Sequence, residues 1–160
     1  MGLFFFYFIS YNMEALFNMV RNINQLTNVN VLFITMSKNP FLKKLITALN
    51  TEKQLEFGML SDGSILPNYS ERSQLEFGKA NRPIMLKDTG EFWRSFEVIL
   101  NEDGFEIDGD SVKFDFEPVD LVTIYGEDIY GLTDKNMDLF INALIPKIQN
   151  VVIQEILKGH

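Results

Sequence analysis

Residues 96–116 read FEVILNEDGFEIDGDSVKFDF. Phe96, Val98 and Leu100 alternate with Glu97 and Ile99, and Phe105 and Ile107 alternate with Glu106 and Asp108. Val112, Phe114 and Phe116 do the same with Lys113 and Asp115. A period of two marks a strand with one face on a core and one in water. NEDG at Asn101–Gly104 and DGDS at Asp108–Ser111 separate the runs with residues that accept turn conformations. The stretch therefore predicts a three-stranded antiparallel meander, apolar on one face and strongly acidic on the other.

Helical patterns flank this stretch on both sides. Leu16, Phe17, Val20, Ile23 and Leu26 share one face of a helix expected over 13–26. Val29–Met36 is a short apolar run that suits helix or strand equally. A helix is expected from Ser37 or Asn39, with Pro40 near its first position, where a missing N–H costs nothing. Phe41, Leu42, Leu45, Ile46 and Leu49 form its apolar stripe, and Thr51 reads as a fresh N-cap. After the strands, Pro118 is expected to open a short helix ending near Gly126. Thr133 should cap a last helix that buries Met137, Phe140, Ile141, Leu144, Ile145, Ile148, Val151, Val152 and Ile156. Pro146 should kink or split it, and Lys158-Gly159 should end it. Helices, then strands, then helices give an α+β class. The expected organisation is one domain over 36–160 behind an N-terminal segment, 1–35, with Met1, Met13 and Met36 as alternative starts. Gly2–Ile9, GLFFFYFI, is too short to span a bilayer, and no base precedes Arg21 as a signal peptide would require. No membrane association is expected.

QLEFG occurs twice, at Gln54–Gly58 and Gln74–Gly78. Each copy follows a Ser/Thr-Glu-Lys/Arg entry and ends on a glycine suited to a left-handed cap. The likeness stops there, so the pair reads as two short capped helices, each with its leucine inward, around the Asp62-Gly63 loop. Ser70 is the expected cap of the second.

Composition removes several chemistries. There is no cysteine, so thiolate catalysis and cysteine-zinc sites are absent from the chain. The single histidine is the terminal His160, which leaves no Ser-His-Asp arrangement to build. In IDGDSVKFDFE, Gly109 falls between the first two acids, so an EF-hand register fails. The glycines are scattered singly and form no phosphate loop. No cofactor and no metal are expected. Charge is unevenly divided: Glu97–Asp138 holds thirteen acids against Lys113 and Lys135, a net −11, whereas the rest of the chain holds nine acids and twelve bases, a net +3. Direct nucleic-acid binding needs clustered bases, and the acidic half lacks them.

The stretch LKDTGEFWRSF, Leu86–Phe96, stands apart. Asp88-Thr89-Gly90 is a turn whose side chains can cap residues 91–92. Phe92, Ser95 and Phe96 then fall at helical spacing, and the small Ser95 lets another element approach. This T-G-x-aromatic-x-x-S run, followed by an apolar strand, resembles the TG-x-L-x-x-S signature of tailed-phage virion-morphogenesis and tail-completion proteins of the Mu-like and lambda-like head–tail connector group. Asp62-Gly63 matches that family's loop, Tyr69-Ser70 its next element, Arg72–Lys79 its polar helix, and Leu86-Lys87-Asp88-Thr89-Gly90 its turn. The resemblance covers about Lys43 to Ile107. Two departures are the sparse bases of the polar helix and Phe92 in place of leucine. The resemblance implies a non-enzymatic structural protein of a phage or prophage. It would be made in the host cytoplasm and incorporated into the virion, contacting its own copies, commonly in a ring, and other neck or tail proteins. A rival reading takes the acidic stretch as a regulator that occupies a basic, nucleic-acid-binding surface of a host protein.

Overall fold

A computed structural model describes residues 28–101, 104–114 and 118–157. The expected helix over 13–26, the Gly2–Ile9 run, Asp115, Phe116, the Lys158-Gly159 helix end and His160 lie outside the described residues.

The first described helix, α1, spans Asn28–Lys38, so the ambiguous apolar run is helical. Val31, Thr35 and Met36 are buried, and the Thr35 hydroxyl donates back to the Val31 carbonyl at 2.6 Å. Pro40 ends α1, because the residue before a proline is pushed out of the α region. Asn39 indeed sits at φ −130°, ψ 76°, and Pro40 occupies the first turn of α2, Pro40–Thr51. α2 buries Leu42, Ile46 and Leu49, but Phe41 stays exposed. Thr51 is not a fresh cap. It is the last residue of α2, buried, with its hydroxyl donated to the Thr47 carbonyl at 2.8 Å. Burial made continuing the helix the better use of that hydroxyl.

The next elements are a 3₁₀ turn at Leu55–Phe57, α3 at Glu71–Phe77 and α4 at Glu91–Ser95. Both QLEFG copies end on a left-handed glycine, Gly58 at φ 67° and Gly78 at φ 62°. Only the first puts its leucine inward: Leu55 is 0% exposed, whereas Leu75 is 86% exposed. Tertiary position separates the two identical pentapeptides. Gly58 lies so close to Pro83 that an added Cβ would meet the proline Cβ at 2.4 Å, and nothing lies within 4 Å of Gly78.

The strands form two hairpins rather than a meander. β1, Glu97–Asn101, pairs antiparallel with β2, Gly104–Asp108. β3, Val112–Phe114, pairs instead with β4, Pro118–Asp120. Alternation reports which face is buried, not which strand is the partner. The polar groups at 109–111 that a β2–β3 turn would need are engaged elsewhere. The Asp110 N–H goes to the Ser95 hydroxyl at 2.8 Å, the Gly109 carbonyl to the Tyr130 hydroxyl at 2.7 Å, and the Ser111 carbonyl to the Leu121 N–H at 3.0 Å. Pro118 consequently begins a strand, where it lacks only an N–H at the strand's first position. The short helix starts later, as α5 at Leu121–Tyr125, capped by Asp120.

A second 3₁₀ turn, Glu127–Ile129, leads to α6, Asp134–Leu157. Thr133 supplies its cap, accepting from the Asn136 N–H at 3.4 Å. α6 runs through Pro146 without being split. Its buried stripe is narrower than expected: Phe140, Leu144 and Val151 are buried, but Ile141 and Ile145 are exposed.

Packing joins α1 and α2 to α6, α2 to β1, and α1 to β2. Val98 pairs with Ile107 and Leu100 with Phe105, facing inward. Phe105 meets Phe140 edge to face at 5.3 Å. The other face of the hairpin carries Glu97 directly opposite Asp108, with Glu106 opposite Ile99. This is the expected acidic face. A buried polar cluster ties the end of α2 to the start of α6. Gln54, 0% exposed, accepts from the Thr133 N–H and from Asn136 Nδ2, both at 2.8 Å, and donates to the Gly131 carbonyl at 3.1 Å.

Candidate interaction groove

Three residues between 86 and 90 have positive φ: Leu86 at 53°, Asp88 at 31° and Gly90 at 80°. This is free for glycine and costs a non-glycine residue about 1–3 kcal/mol. The turn directs Asp88 between two ammonium groups. Lys79 Nζ lies 3.4 Å from one carboxylate oxygen, and Lys113 Nζ donates to the other. The Lys113 hydrogen bond is the main reason that the Asp88 carboxyl is held below its usual value. Lys87, next in chain, stacks over Trp93 at 4.4 Å and pairs with Glu56 at 3.2 Å.

Lys79, Leu86, Lys87, Asp88 and Lys113 line an open groove of ≈ 980 Å³ between α3 and the β3–β4 hairpin with α5. Tyr69, Leu86 and Leu121 are among the residues lining it, together with Tyr125. Burial, followed by the neighbouring Tyr69, raises the Tyr125 phenol pKa above its ordinary value. Phe77 and Ile124 also line the groove, with 69% and 57% of their surface exposed. α3 buries none of its residues. It is held by local bonds: the Ser70 hydroxyl accepts from the Ser73 N–H, Arg72 pairs with Glu76, and Gln74 donates to the Tyr69 carbonyl.

The structure therefore divides the sequence-expected site residues into four groups. Tyr69, Leu86 and Asp88 line the groove, and Ser70 caps the helix at its edge. Thr89 and Gly90 form the turn, with Thr89 Oγ1 accepting from the Glu91 N–H at 3.4 Å. Phe92 and Phe96 lie behind it in the core, edge to face with each other at 4.9 Å and tilted against Tyr130 at 6.0 and 5.3 Å. Ser95 allows the close approach expected of it, with Gly109 so near that an added Cβ would meet Ser95 Oγ at 3.0 Å. Asp62 and Gly63 are in a separate loop, where Asp62 accepts from the Ser64 N–H at 2.8 Å and Ser61 bonds Asp128.

Sequence reasoning placed Lys79 and Lys87 in the matched segments and Lys113 in the acidic stretch without singling them out as site residues, nor Phe77 and Ile124. One signal was available: Lys113 is a rare base inside the acidic stretch. Among the described residues, no group of three potential metal ligands converges, and no helix is long and apolar enough to cross a membrane. The groove can offer apolar surface and ammonium groups. No family model, curated protein or solved structure matches the chain.

Proposed function

We propose that this chain is a non-enzymatic structural protein of a phage or prophage, acting in virion assembly at the head–tail junction or in tail completion through protein–protein contacts. The observation that carries the reading is α3. A seven-residue helix that leaves Leu75 and Phe77 in water, beside an apolar groove, is poorly placed for a monomer and well placed for a docking surface. The groove lies along the segment that bears the connector-like motif, Tyr69 to Ser95. Aromatic and aliphatic anchors of this kind supply most of the binding energy in protein interfaces. The test is co-purification with virions, comparing wild type with Leu75→Ser/Phe77→Ser. Both residues are exposed, so the double variant should fold normally and drop out of the particles. A variant that is retained at wild-type level refutes the groove as the docking surface.

One observation favours a second reading. The outer face of the β1–β2 hairpin presents Glu97, Glu106 and Asp108 together, as an acidic regulator of a basic host surface would. Neutralising all three should then abolish capture of a basic partner; unchanged capture rejects this reading.

A further inference from the structure

We propose that α3 is a hinged flap that closes over the groove in the free protein. The inference concerns access to the docking surface proposed above, and stands on geometry alone. Its warrant is where α3 is fastened. The segment that carries the helix leaves and rejoins the domain at one tied neck. There the Tyr69 N–H donates to the Arg82 carbonyl at 3.1 Å, the Ile84 N–H to the Pro67 carbonyl at 2.9 Å, and Asn68 Nδ2 to Asn81 Oδ1 at 3.0 Å. The Tyr69 hydroxyl also accepts from the Met85 N–H at 3.4 Å. Beyond the neck the ties are internal. Among the described residues, the hydrogen bonds and the ion pair of α3 run only to residues 69–79, and the helix buries none of its side chains. The Lys79–Asp88 pair lies past the end of the helix and is partly exposed, so it holds the foot of the flap weakly. A unit held by its own bonds, without buried contacts, moves at small cost in free energy. Gly78 gives it a pivot, because a Cβ added there would have nothing within 4 Å.

The two walls of the groove give the flap something to close on. Ser73 and Phe77, one helical turn apart, line the groove, and Leu75 falls on the opposite side of the helix. Across the gap stand Val119 and Ile124, both exposed. Phe77 is the matching apolar group on the moving side. Bringing apolar walls together releases the water between them, which favours closure. A closed flap hides Phe77, Val119 and Ile124 and leaves Leu75 outside. A docking protein then meets Leu75 first, and has to lift α3 to reach the apolar surface beneath. The groove is guarded by part of its own wall.

Thiol chemistry tests the inference, since the chain has no cysteine of its own. Phe77→Cys and Leu75→Cys place single thiols on the inner and outer sides of α3. In the open geometry both side chains are exposed and their thiols would react alike with a labelling reagent. With the flap closed about 90% of the time, the Phe77→Cys thiol should react about tenfold more slowly than the Leu75→Cys thiol. Pairing each with Ile124→Cys adds a second reading. A disulfide forms only where two Cα atoms come within about 7 Å. With oxidised glutathione as the oxidant, Phe77→Cys/Ile124→Cys should crosslink within the monomer, and Leu75→Cys/Ile124→Cys should not. All three positions are exposed, so the variants should fold. Equal labelling rates overturn the inference, and so does absence of the Phe77–Ile124 crosslink. Crosslinking of both pairs to the same extent overturns it too, because α3 would then be unfolding rather than closing. Each result is read on the free protein and leaves the docking role of the groove untouched, which the Leu75/Phe77 double variant decides separately in particles.

Discussion

Gln54→Leu and Gln74→Leu change the same residue in the same pentapeptide, yet should differ several-fold in effect. At Gln54 the substitution keeps the side-chain bulk and removes three hydrogen bonds inside the protein. The Thr133 N–H and the Gly131 carbonyl lose the Gln54 amide as partner, and the Asn136 side-chain amide keeps its bond to the Leu49 carbonyl at 3.1 Å. The region already contains Asn50 Oδ1, buried without a partner. Each buried polar group left unsatisfied costs about 1–3 kcal/mol, so leaving these two without a partner should cost about 2–6 kcal/mol. That is a large part of the ~5–15 kcal/mol by which a domain is stable. At Gln74 only the bond to the Tyr69 carbonyl is lost, beside solvent that can replace it; the cost should stay below about 1 kcal/mol. Equilibrium urea unfolding measures both. With a slope of about 2 kcal/mol per M, the Gln54 variant should unfold about 1–3 M earlier, and Gln74→Leu within about 0.5 M of wild type. If Gln54→Leu falls within about 1 kcal/mol of wild type, the polar cluster does not hold α2 to α6, and the contrast drawn between the two copies fails.

The two capping glycines should differ in the same direction. Gly58→Ala meets Pro83 as well as a strained φ and should cost more than about 2 kcal/mol, whereas Gly78→Ala meets only the strained backbone, at about 1 kcal/mol; thermal melts rank them. The Tyr130 phenol is pushed up to about 12, first by burial and then by Asp108. A group whose folded pKa is raised adds stability that is complete below its unfolded value near 10 and is lost as pH rises toward 12. Tyr130→Phe should therefore flatten the alkaline limb of the stability curve, read by ultraviolet absorbance and circular dichroism. Asp88 has the opposite sign: its lowered pKa contributes above the ordinary carboxylate value and is lost as pH falls below it. Because that pair is partly exposed, Asp88→Asn should change global stability by less than about 1 kcal/mol while loosening the Lys79 and Lys113 side chains, visible in their NMR signals.

What could be read from the sequence depended on whether the deciding physics was local. The Pro40 start of α2, the Ser70 and Thr133 caps and the acidic hairpin face follow from short-range rules, and the structure agrees with each. Strand pairing does not. β2 and β3 obey the alternation expected of neighbours, but Ser95 and Tyr130, 15 and 21 residues from their partners, claim the polar groups between them. The burial of Leu55 against the exposure of Leu75 is likewise beyond any window of sequence, since the windows are identical. The groove was half legible: the Leu86–Ser95 motif pointed to one wall, and nothing near Lys113 showed that it would reach Asp88 across 25 residues.

That wall also explains how a strained turn persists. Leu86 and Asp88 hold conformations that glycine would adopt at no cost, and together they carry about 2–6 kcal/mol of unfavourable backbone energy. Leu86 offsets this by being buried, 7% exposed, which is worth about 1.5–3 kcal/mol. Asp88 has no such burial and relies on the two ammonium groups that flank it. Asp88→Gly would therefore relieve the strain and remove the anchor at once. Its effect on stability should be small, because the two changes oppose each other. Its effect on the groove should not be small, because both lysines lose the carboxylate that fixes them. A variant as stable as wild type, with Lys79 released from its ion pair and docking weakened, is the outcome this balance requires. A variant stabilised by several kcal/mol with docking intact would mean that the strain served no purpose in the groove.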